Sequence, residues 1–242
     1  LDKTKFKKLY IPPVPDDSGA GLGAACYVNN IIYKKRVHAI KDNYLGPKFN
    51  NKEVEKLLQL YKINYKKIKN PKKVAAKNIS EGKIIGWFQG ALEFGDRALG
   101  NRSILADPRD ANMKDKINKC VKYRESFRPF APAILSEFVR KVFKNNESSI
   151  FMEKALKIKQ SYRNKIPAVV HRDGTGRLQT VDKTINPDFY NLIYEFNKIT
   201  GVPVLLNTSL NYQGDPIACS PEDAIKTFFL SGLDLLYINN IE

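Results

Sequence analysis

Three arginines follow a glycine-punctuated segment near the middle of the chain. Gly-Trp-Phe-Gln-Gly occupies 86–90, and Arg97, Arg102 and Arg109 come after it. Glycine lets a backbone approach a ligand closely, and a guanidinium binds phosphate or carboxylate through two parallel hydrogen bonds. The same arginines could instead form a network with Glu93 that closes a turn. Spacing alone leaves both interpretations open.

A second cationic cluster occupies residues 122–130, where Lys122, Arg124 and Arg128 surround Glu125. Aromatic residues flank the cluster and an apolar run follows it. Fixed cations of this kind stabilise the charge of a triphosphate or of a small phosphoanhydride. A solvated surface loop is the alternative, which is common for lysine and less so for arginine beside phenylalanine.

A third segment places His171, Asp173-Gly174 and Arg177 around a turn-forming sequence. Such a sequence predicts a β-hairpin, or an arginine presented to a ligand at the start of a strand. A single histidine in this setting is more often structural than a catalytic base.

A fourth segment, Asn207-Thr208-Ser209 with Asn211, follows the apolar run 204–206. Ligands of open α/β sheets bind beyond the ends of strands, so these amides and hydroxyls are candidate ligand contacts. Capping of a turn by the same side chains is the alternative.

Short apolar runs alternate with helical segments from about residue 81, which predicts an α/β domain with an open, twisted, mixed sheet. The predicted strands are 83–88, 103–106, 131–135, 167–171, 178–181, 202–206 and 233–238. The predicted helices are 111–120, 187–200 and one that begins at 220–221 and ends at 232. Proline at the start and glycine after the end support the helix over 187–200.

The first 80 residues are organised differently. A short strand over 8–12, a turn at 12–15 and a helix through the small residues 19–25, capped by Asp17 or Ser18, are expected. Thirty residues cannot bury a core, so 1–30 is interpreted as the C-terminal remnant of another domain. Residues 31–80 are interpreted as a connecting segment with one or two helices, the clearest over 51–61, and 81–242 as one domain.

Composition narrows the class of protein. The net charge is +16, with Lys+Arg 41 against Asp+Glu 25, which favours anionic partners such as phosphates, nucleotides, nucleic acid or acidic lipid. Three separated cysteines without a CxxC spacing predict neither disulfides nor zinc and fit a reducing, cytoplasmic compartment. No apolar run is long enough to predict a membrane span. Walker, GxSxG and HExxH motifs are absent from the sequence.

Together, these blocks resemble the C-terminal region of the O-carbamoyltransferase family, which includes nodulation-factor, cephem-antibiotic and aminoglycoside carbamoyltransferases. The resemblance covers residues 81–238 and rests on blocks at 86–90, 93–95, 97–109, 122–132, 171–180 and 207–211. It implies a YrdC-like domain that uses carbamoyl phosphate and ATP. A carbamoyl adenylate would form, and its carbamoyl group would pass to a hydroxyl acceptor such as a sugar or natural product.

The resemblance also implies site residues. The expected substrate- and nucleotide-binding residues are Arg97, Arg102, Lys122, Arg128, His171, Asp173, Arg177, Asn207, Ser209 and Asn211. Lys122, Arg128 and Ser209 are the expected catalytic residues among them. Asp96 stands where the family tends to have proline, and an acid beside Arg97 could weaken anion binding. Ala91 stands where a basic residue is usual.

An actin-like N-terminal domain accompanies this region in the family. Asp17-Ser18-Gly19 resembles its last motif, in which the aspartate binds a divalent metal, iron or magnesium, with histidines that this sequence lacks. Asp17 is therefore expected to bind metal only with those ligands. The implied partners are carbamoyl phosphate, ATP, the acceptor and that domain, and a second copy of the chain is a further candidate.

Two other functions are kept as alternatives. A basic YrdC-like module could bind RNA or nucleotides without transferase activity, which the net charge would suit. The lack of an alternating aromatic and basic pattern for base stacking disfavours RNA as the partner. A scaffold that has lost its chemistry is the third interpretation, and only Asp96 hints at it.

Overall fold

The structure, a computed structural model, describes residues 4–6, 9–37 and 40–242. The helices within these residues are α1 (Ala20–Ile31), α2 (Asn51–Leu60), α3 (Pro71–Ser80), α4 (Met113–Cys120), α5 (Val139–Val142), α6 (Gln160–Arg163), α7 (Pro187–Thr200) and α8 (Pro221–Leu230). Short 3-10 helices cover Asp17–Gly19, Ser136–Phe138 and Pro167–Val169. None of the described helices is both long and apolar enough to cross a lipid bilayer.

One mixed sheet organises residues 85–238. Its strands are β1 (Ile85–Phe88), β2 (Arg102–Ala106), β3 (Ala131–Leu135), β4 (Lys154–Lys157), β5 (Thr175–Val181), β6 (Val204–Ser209) and β7 (Leu235–Ile238). Their order across the sheet is β4-β5-β3-β6-β2-β1-β7. The β3–β5 and β1–β7 pairs are parallel and the others antiparallel. The open, mixed α/β sheet that the sequence predicts is therefore confirmed.

The interior strands are buried because helices cover the sheet. Every residue of β2 and β3 is buried, whereas the edge strand β4 alternates between half-buried and exposed residues. Helix α7 packs against α3 and contributes Phe189 and Phe196 to a single large core that also contains Trp87. The same core includes Val54 and Leu58 of α2, so residues 51–80 pack on the sheet.

Capping side chains set the ends of the main helices. Asn186 accepts from the backbone N–H of Phe189 and precedes Pro187, while Gly201 ends α7 at φ +72. Helix α2 begins with a reciprocal capping box between Asn50 and Glu53. These signals explain why α7 has the bounds that the sequence predicts.

Three local predictions are wrong. Residues 167–169 form a 3-10 helix rather than a strand, because Pro167 fixes a φ that suits the first helical position. Residues 9–12 form no strand, since Pro12 cannot donate to a sheet, and Lys8 lies outside the described residues. The residue that caps the N-terminal turn is Asp16, whose carboxylate accepts from Ser18 N at 3.1 Å.

The turn at His171 also differs from a hairpin. Gly174 N donates to His171 O at 2.8 Å, but a 3-10 helix rather than a strand precedes this turn. The antiparallel partner of β5 is β4, which the sequence does not predict. Lys-Ala-Leu-Lys is too short and too polar to stand out as a strand.

Gly100 offers a test of the packing that joins α7 to the loop before β2. Its φ is +109, and a Cβ there would lie 2.1 Å from Cδ1 of Phe189. We expect Gly100→Ala to lower the free energy of unfolding by about 2–5 kcal/mol, through both backbone strain and overpacking. Urea denaturation measures this loss.

Gly201→Ala is the matched control. Gly201 also has a positive φ, +72, but no atom lies within 4 Å of its would-be Cβ. Only the backbone strain applies there, so we expect a loss of about 1 kcal/mol. Equal losses in the two variants would contradict the proposed contact with Phe189.

Candidate anion-binding site

One cavity of about 270 Å³ lies at the end of the sheet where β6 ends and β3 begins. It lies close to the lower end of the usual range of ligand pockets, ~300–1,000 Å³. Its lining residues are Asp96, Arg97, Ala98, Arg124, Arg128, Pro129, Phe130, Ala131, Met152, His171, Arg177, Asn207, Thr208 and Ser209. Segments that are far apart in sequence therefore meet around one small space.

Four arginines line this cavity from three parts of the chain. Arg97 comes from the loop between β1 and β2, Arg124 and Arg128 from the loop before β3, and Arg177 from β5. Arg97 Nη1 lies 3.1 Å from an Asp96 carboxylate oxygen, and Arg128 lies 4.0 Å from Glu125. Neither Arg124 nor Arg177 forms an ion pair with a described residue.

Crowding of these cations is visible in their protonation equilibria. Burial lowers the pKa of Arg177, and repulsion from Arg97 lowers it further. Burial likewise lowers the pKa of Arg124, with added repulsion from Arg128 and Arg177. Both guanidinium groups stay charged at neutral pH, so the cavity carries a positive potential that a bound anion would relieve.

The loop that carries Arg97 is held from inside by Glu93. The carboxylate of Glu93, which is fully buried, accepts from Leu99 N at 2.7 Å, Asn101 N at 2.8 Å and Arg102 Nε at 2.8 Å. Arg102 also donates to the backbone oxygen of Glu93. This arrangement is the arginine–carboxylate network that the sequence left open, and it fixes the loop between β1 and β2.

Side chains of the sheet also donate hydrogen bonds to the backbone of this loop. Asn207 Nδ2 donates to Ala98 O at 3.1 Å, and Gln179 Nε2 donates to Leu99 O at 2.7 Å. Asn207 is paired with β2 on one side and β3 on the other. The cavity wall at Ala98 is thus tied to the most central strands of the sheet.

Lys122 lies behind the cavity and not in its lining. The side chain is buried, and its Nζ donates to Ser209 O at 2.5 Å and to Asn211 Oδ1 at 2.7 Å. Ser209 Oγ donates to Asn211 Oδ1 at 2.6 Å. Burial, and to a lesser extent repulsion from Arg124, lower the pKa of Lys122 to about 7. Lys122 therefore positions Ser209 and can change charge near neutral pH.

Of the residues predicted from the sequence, the cavity lining contains six. These are Arg97, Arg128, His171, Arg177, Asn207 and Ser209. Asn211 joins Lys122 in the layer behind Ser209. Burial lowers the pKa of the His171 ring, and Arg177 lowers it further against an opposing effect of Asp173.

Two predicted binding residues are not brought to the cavity, and Asp17 is predicted as a metal ligand rather than as a cavity residue. The guanidinium of Arg102 is 6% exposed and bound to Glu93. Asp173 is exposed on a turn, where hydrogen bonds from Thr175 lower its pKa to about 2. Asp17 is exposed in a 3-10 helix, and no group of three potential metal ligands exists among the described residues.

Some lining residues were not among the expected site residues. Arg124 belongs to the cationic cluster, and its guanidinium lies 4.9 Å from the centre of the Phe130 ring. This cation–π contact with a neighbouring aromatic was a usable signal. Met152 sits at φ +59 in a segment without motif residues, so no sequence pattern indicates its position.

The family described as Carbamoyltransferase C-terminus matches residues 76–242, which include every residue of the cavity lining. The chain belongs to this family. The resemblance that the motifs carry is therefore confirmed. A carbamoyltransferase C-terminal region begins, by this match, within α3.

Curated relatives extend the similarity over nearly the whole chain. The nodulation protein NolNO of Sinorhizobium fredii strain NBRC 101917 / NGR234 is 41% identical over 97% of this chain and 36% of its own length. The nodulation protein NolO of Bradyrhizobium diazoefficiens is 40% identical over 96% and 44%. An uncharacterized Synechocystis protein is 36% identical over 99% and 44%. The chain thus spans less than half the length of these relatives.

Two solved structures are similar at lower identity. Full-length HypF in its phosphate- and nucleotide-bound form aligns with a TM-score of 0.49 and 20% identity, over 71% of this chain and 25% of that chain. P. abyssi Sua5 complexed with L-threonine aligns with a TM-score of 0.48 and 16% identity, over 68% and 45%.

Removing the charge of Glu93 tests its structural role in this carbamoyltransferase region. Glu93→Gln leaves a buried guanidinium without its counter-ion, so we expect a loss of about 3–5 kcal/mol in the free energy of unfolding. Glu125→Gln is the control, because Glu125 is exposed and its ion pair with Arg128 is long, at 4.0 Å, and therefore weak. Its loss should stay within about 0.5 kcal/mol in the same denaturation series. Comparable losses would refute the role of Glu93.

Asp96 should weaken anion binding by neutralising Arg97. The pair is about half exposed and therefore worth about 0–1 kcal/mol. We expect Asp96→Asn to tighten binding of inorganic phosphate about two- to fivefold, measured by calorimetry. Most of the gain should be lost when Arg97→Ala is added, and the remainder reflects the weaker attraction of Asp96 for Arg177. A full gain in the double variant would contradict the neutralisation of Arg97 by Asp96.

Proposed function

We propose that the chain carries the carbamoyl-phosphate- and ATP-handling part of an O-carbamoyltransferase. In this reaction a carbamoyl adenylate forms, and its carbamoyl group then passes to a hydroxyl acceptor such as a sugar or natural product. Conversion of carbamoyl phosphate and ATP into the adenylate balances when one water is consumed and one phosphate and one pyrophosphate are released. Family membership supports the transferase class.

The four guanidinium groups around one cavity are the observation that carries this proposal. A surface arginine is normally solvated, whereas Arg177 is half-buried on a strand, is repelled by Arg97 and forms no ion pair with a described residue, although Asp96 attracts it from a longer distance. Such an arrangement costs stability unless an anion occupies it during function. A small phosphorylated substrate supplies that anion, and fixed guanidinium forks would orient it.

A second cavity supports a role for a nucleotide. It has a volume of about 760 Å³ and shares Arg124 and Arg128 with the first. Asn118 and Tyr123 also line it, and the Tyr123 ring contacts Tyr212 with ring centres 5.6 Å apart. We infer that the smaller cavity takes the carbamoyl and phosphate groups and that the larger one takes the nucleoside of ATP.

The proposed roles follow from position. Arg97, Arg128 and Arg177 would neutralise the phosphates, and Ser209 would contact the reacting group at the end of β6. Lys122 acts through Ser209 and Asn211, whose oxygens it holds. Its ammonium can lose a proton near pH 7, so it can adjust the charge beside the site as phosphate leaves.

Transfer to the acceptor is the second half of the proposal. In the family it belongs to the actin-like domain with its metal, and Asp17 would contribute there. The described residues do not form a metal site, so no step in this chain is assigned to a metal. An RNA-binding module is not favoured, because the family is that of carbamoyltransferases and the arginines enclose a small cavity.

Arginine substitutions test the proposal. With carbamoyl phosphate and ATP supplied, we expect the chain to release phosphate and pyrophosphate. Arg128→Ala and Arg177→Ala should each lower kcat/KM by about tenfold or more, because each removes a charge-assisted hydrogen bond. Coupled phosphate and pyrophosphate assays measure both products.

Arg140→Ala is the control, because Arg140 is an exposed arginine of α5 outside both cavities. Its kcat/KM should equal that of the unsubstituted chain. Unchanged turnover in both cavity variants would remove these arginines from the site. Salt-dependent RNA binding without any response to carbamoyl phosphate would instead support the nucleic-acid module.

A further inference from the structure

Two buried acceptor atoms on the cavity-lining residues lack a hydrogen-bond donor among the described residues. They are Nε2 of His171 and Oδ1 of Asn207. A buried polar atom without a partner costs stability, and most such atoms in folded proteins are paired. The arginines supply the hydrogen-bond donors that an anion requires. The two acceptors therefore point to a different part of the ligand, one that carries a donor.

The orientation of Asn207 follows from a chain of donors. Gln179 Nε2 donates to Leu99 O at 2.7 Å, which turns its Oε1 toward Asn207. Asn207 Nδ2 donates to that Oε1 at 2.7 Å and to Ala98 O at 3.1 Å. Both amide hydrogens are used, so Oδ1 is fixed as the acceptor.

The tautomer of His171 is fixed in the same way. Thr175 Oγ1 donates to Asp173 Oδ1 at 2.6 Å, and Asp173 is ionised. Thr175 Oγ1 is then an acceptor for His171 Nδ1, 3.0 Å away. A neutral imidazole carries one N–H, which this contact holds on Nδ1, so Nε2 is left with its lone pair.

We propose that His171 Nε2 and Asn207 Oδ1 recognise the amino group of the carbamoyl substrate and so distinguish it from acyl phosphates of the same shape. A carbamoyl group differs from an acetyl group by NH₂ in place of CH₃, and only NH₂ donates hydrogen bonds. The methyl group would leave both buried acceptors unpaired. Sites built for a donor reject analogues without it far more strongly than apolar pockets reject an extra methylene. This inference rests on the proposed function.

Matched ligands test the inference without requiring turnover. Phosphonoacetamide and acetonylphosphonate are stable analogues that differ by the same exchange of NH₂ for CH₃. We expect calorimetry to show about tenfold or greater preference for the amide, since each neutral hydrogen bond contributes a few-fold in affinity. His171→Phe keeps a ring of similar size without nitrogen and should lower the preference at least threefold.

Substitutions at two threonines separate the effect of the tautomer from general effects on folding. Thr175→Val removes the acceptor for Nδ1–H and should lower the preference for the amide, with rescue by Thr175→Ser. Thr184→Val is the matched control, because Thr184 donates to Asp182 Oδ1 at 2.5 Å in the same kind of turn without a histidine partner. Its preference should equal that of the unsubstituted chain.

The outcomes separate the two proposals. Equal binding of the two analogues, or an unchanged preference in His171→Phe, would overturn amino-group recognition even if carbamoyl phosphate is turned over. Preference for the amide without release of phosphate or pyrophosphate would overturn the proposed reaction and support the recognition. Loss of preference in Thr184→Val as well would assign the effect to folding and overturn the tautomer argument.

Discussion

The buried ion pair of Glu93 and Arg102 is the constraint on which the site depends. The loop that presents Arg97 to a space lined by three other arginines would be pushed away by their repulsion unless something held its backbone. Glu93 binds backbone N–H groups at both Leu99 and Asn101, so the loop is anchored on either side of Gly100. Because the carboxylate is fully buried, those bonds are strong and restrain the loop.

The charges that line the cavity are not balanced as they are in the Glu93–Arg102 ion pair. At Glu93 the protein satisfies a buried charge completely, whereas Arg124 and Arg177 form no ion pair with a described residue and are only weakly attracted by Glu125 and Asp96. Paired arginines stabilise the fold, whereas unpaired arginines are available to a ligand, because an arginine that is already paired binds a further anion weakly. Arg97, paired with the half-exposed Asp96, is intermediate. The stability that the Glu93–Arg102 ion pair contributes offsets the cost of the unpaired arginines at the cavity.

Much of the fold could be predicted because its boundaries carry local signals. The helix over 187–200 and the strand over 131–135 agree with Pro187–Thr200 and Ala131–Leu135, since proline, glycine and apolar runs mark their ends. Residues 167–169 were mistaken for a strand because a short buried apolar run has no period that distinguishes the two. The four-residue β4 is stabilised by its pairing with β5, which is not a local property.

The candidate site likewise has a part that local sequence signals predict and a part that depends on tertiary contacts. The arginines and amides could be chosen from the sequence because they occur in motifs, and six of the predicted residues line one cavity. The sequence could not assign Arg102 to Glu93 rather than to a ligand, because both roles use the same guanidinium donors. Met152 enters the lining through a left-handed backbone conformation that its side chain does not encode.

Structure and proposed recognition are joined through the backbone of one loop. The loop that Glu93 anchors supplies the Ala98 and Leu99 carbonyl oxygens, and these consume the N–H groups of Asn207 and Gln179. The direction of those hydrogen bonds then leaves Oδ1 of Asn207, a residue of the cavity lining, without a donor among the described residues. A displaced loop would free Asn207 to rotate, and an acceptor would become a donor. The ion pair that holds the Arg97 loop in place therefore also fixes the orientation of the Asn207 amide, on which the proposed recognition of a carbamoyl amino group depends.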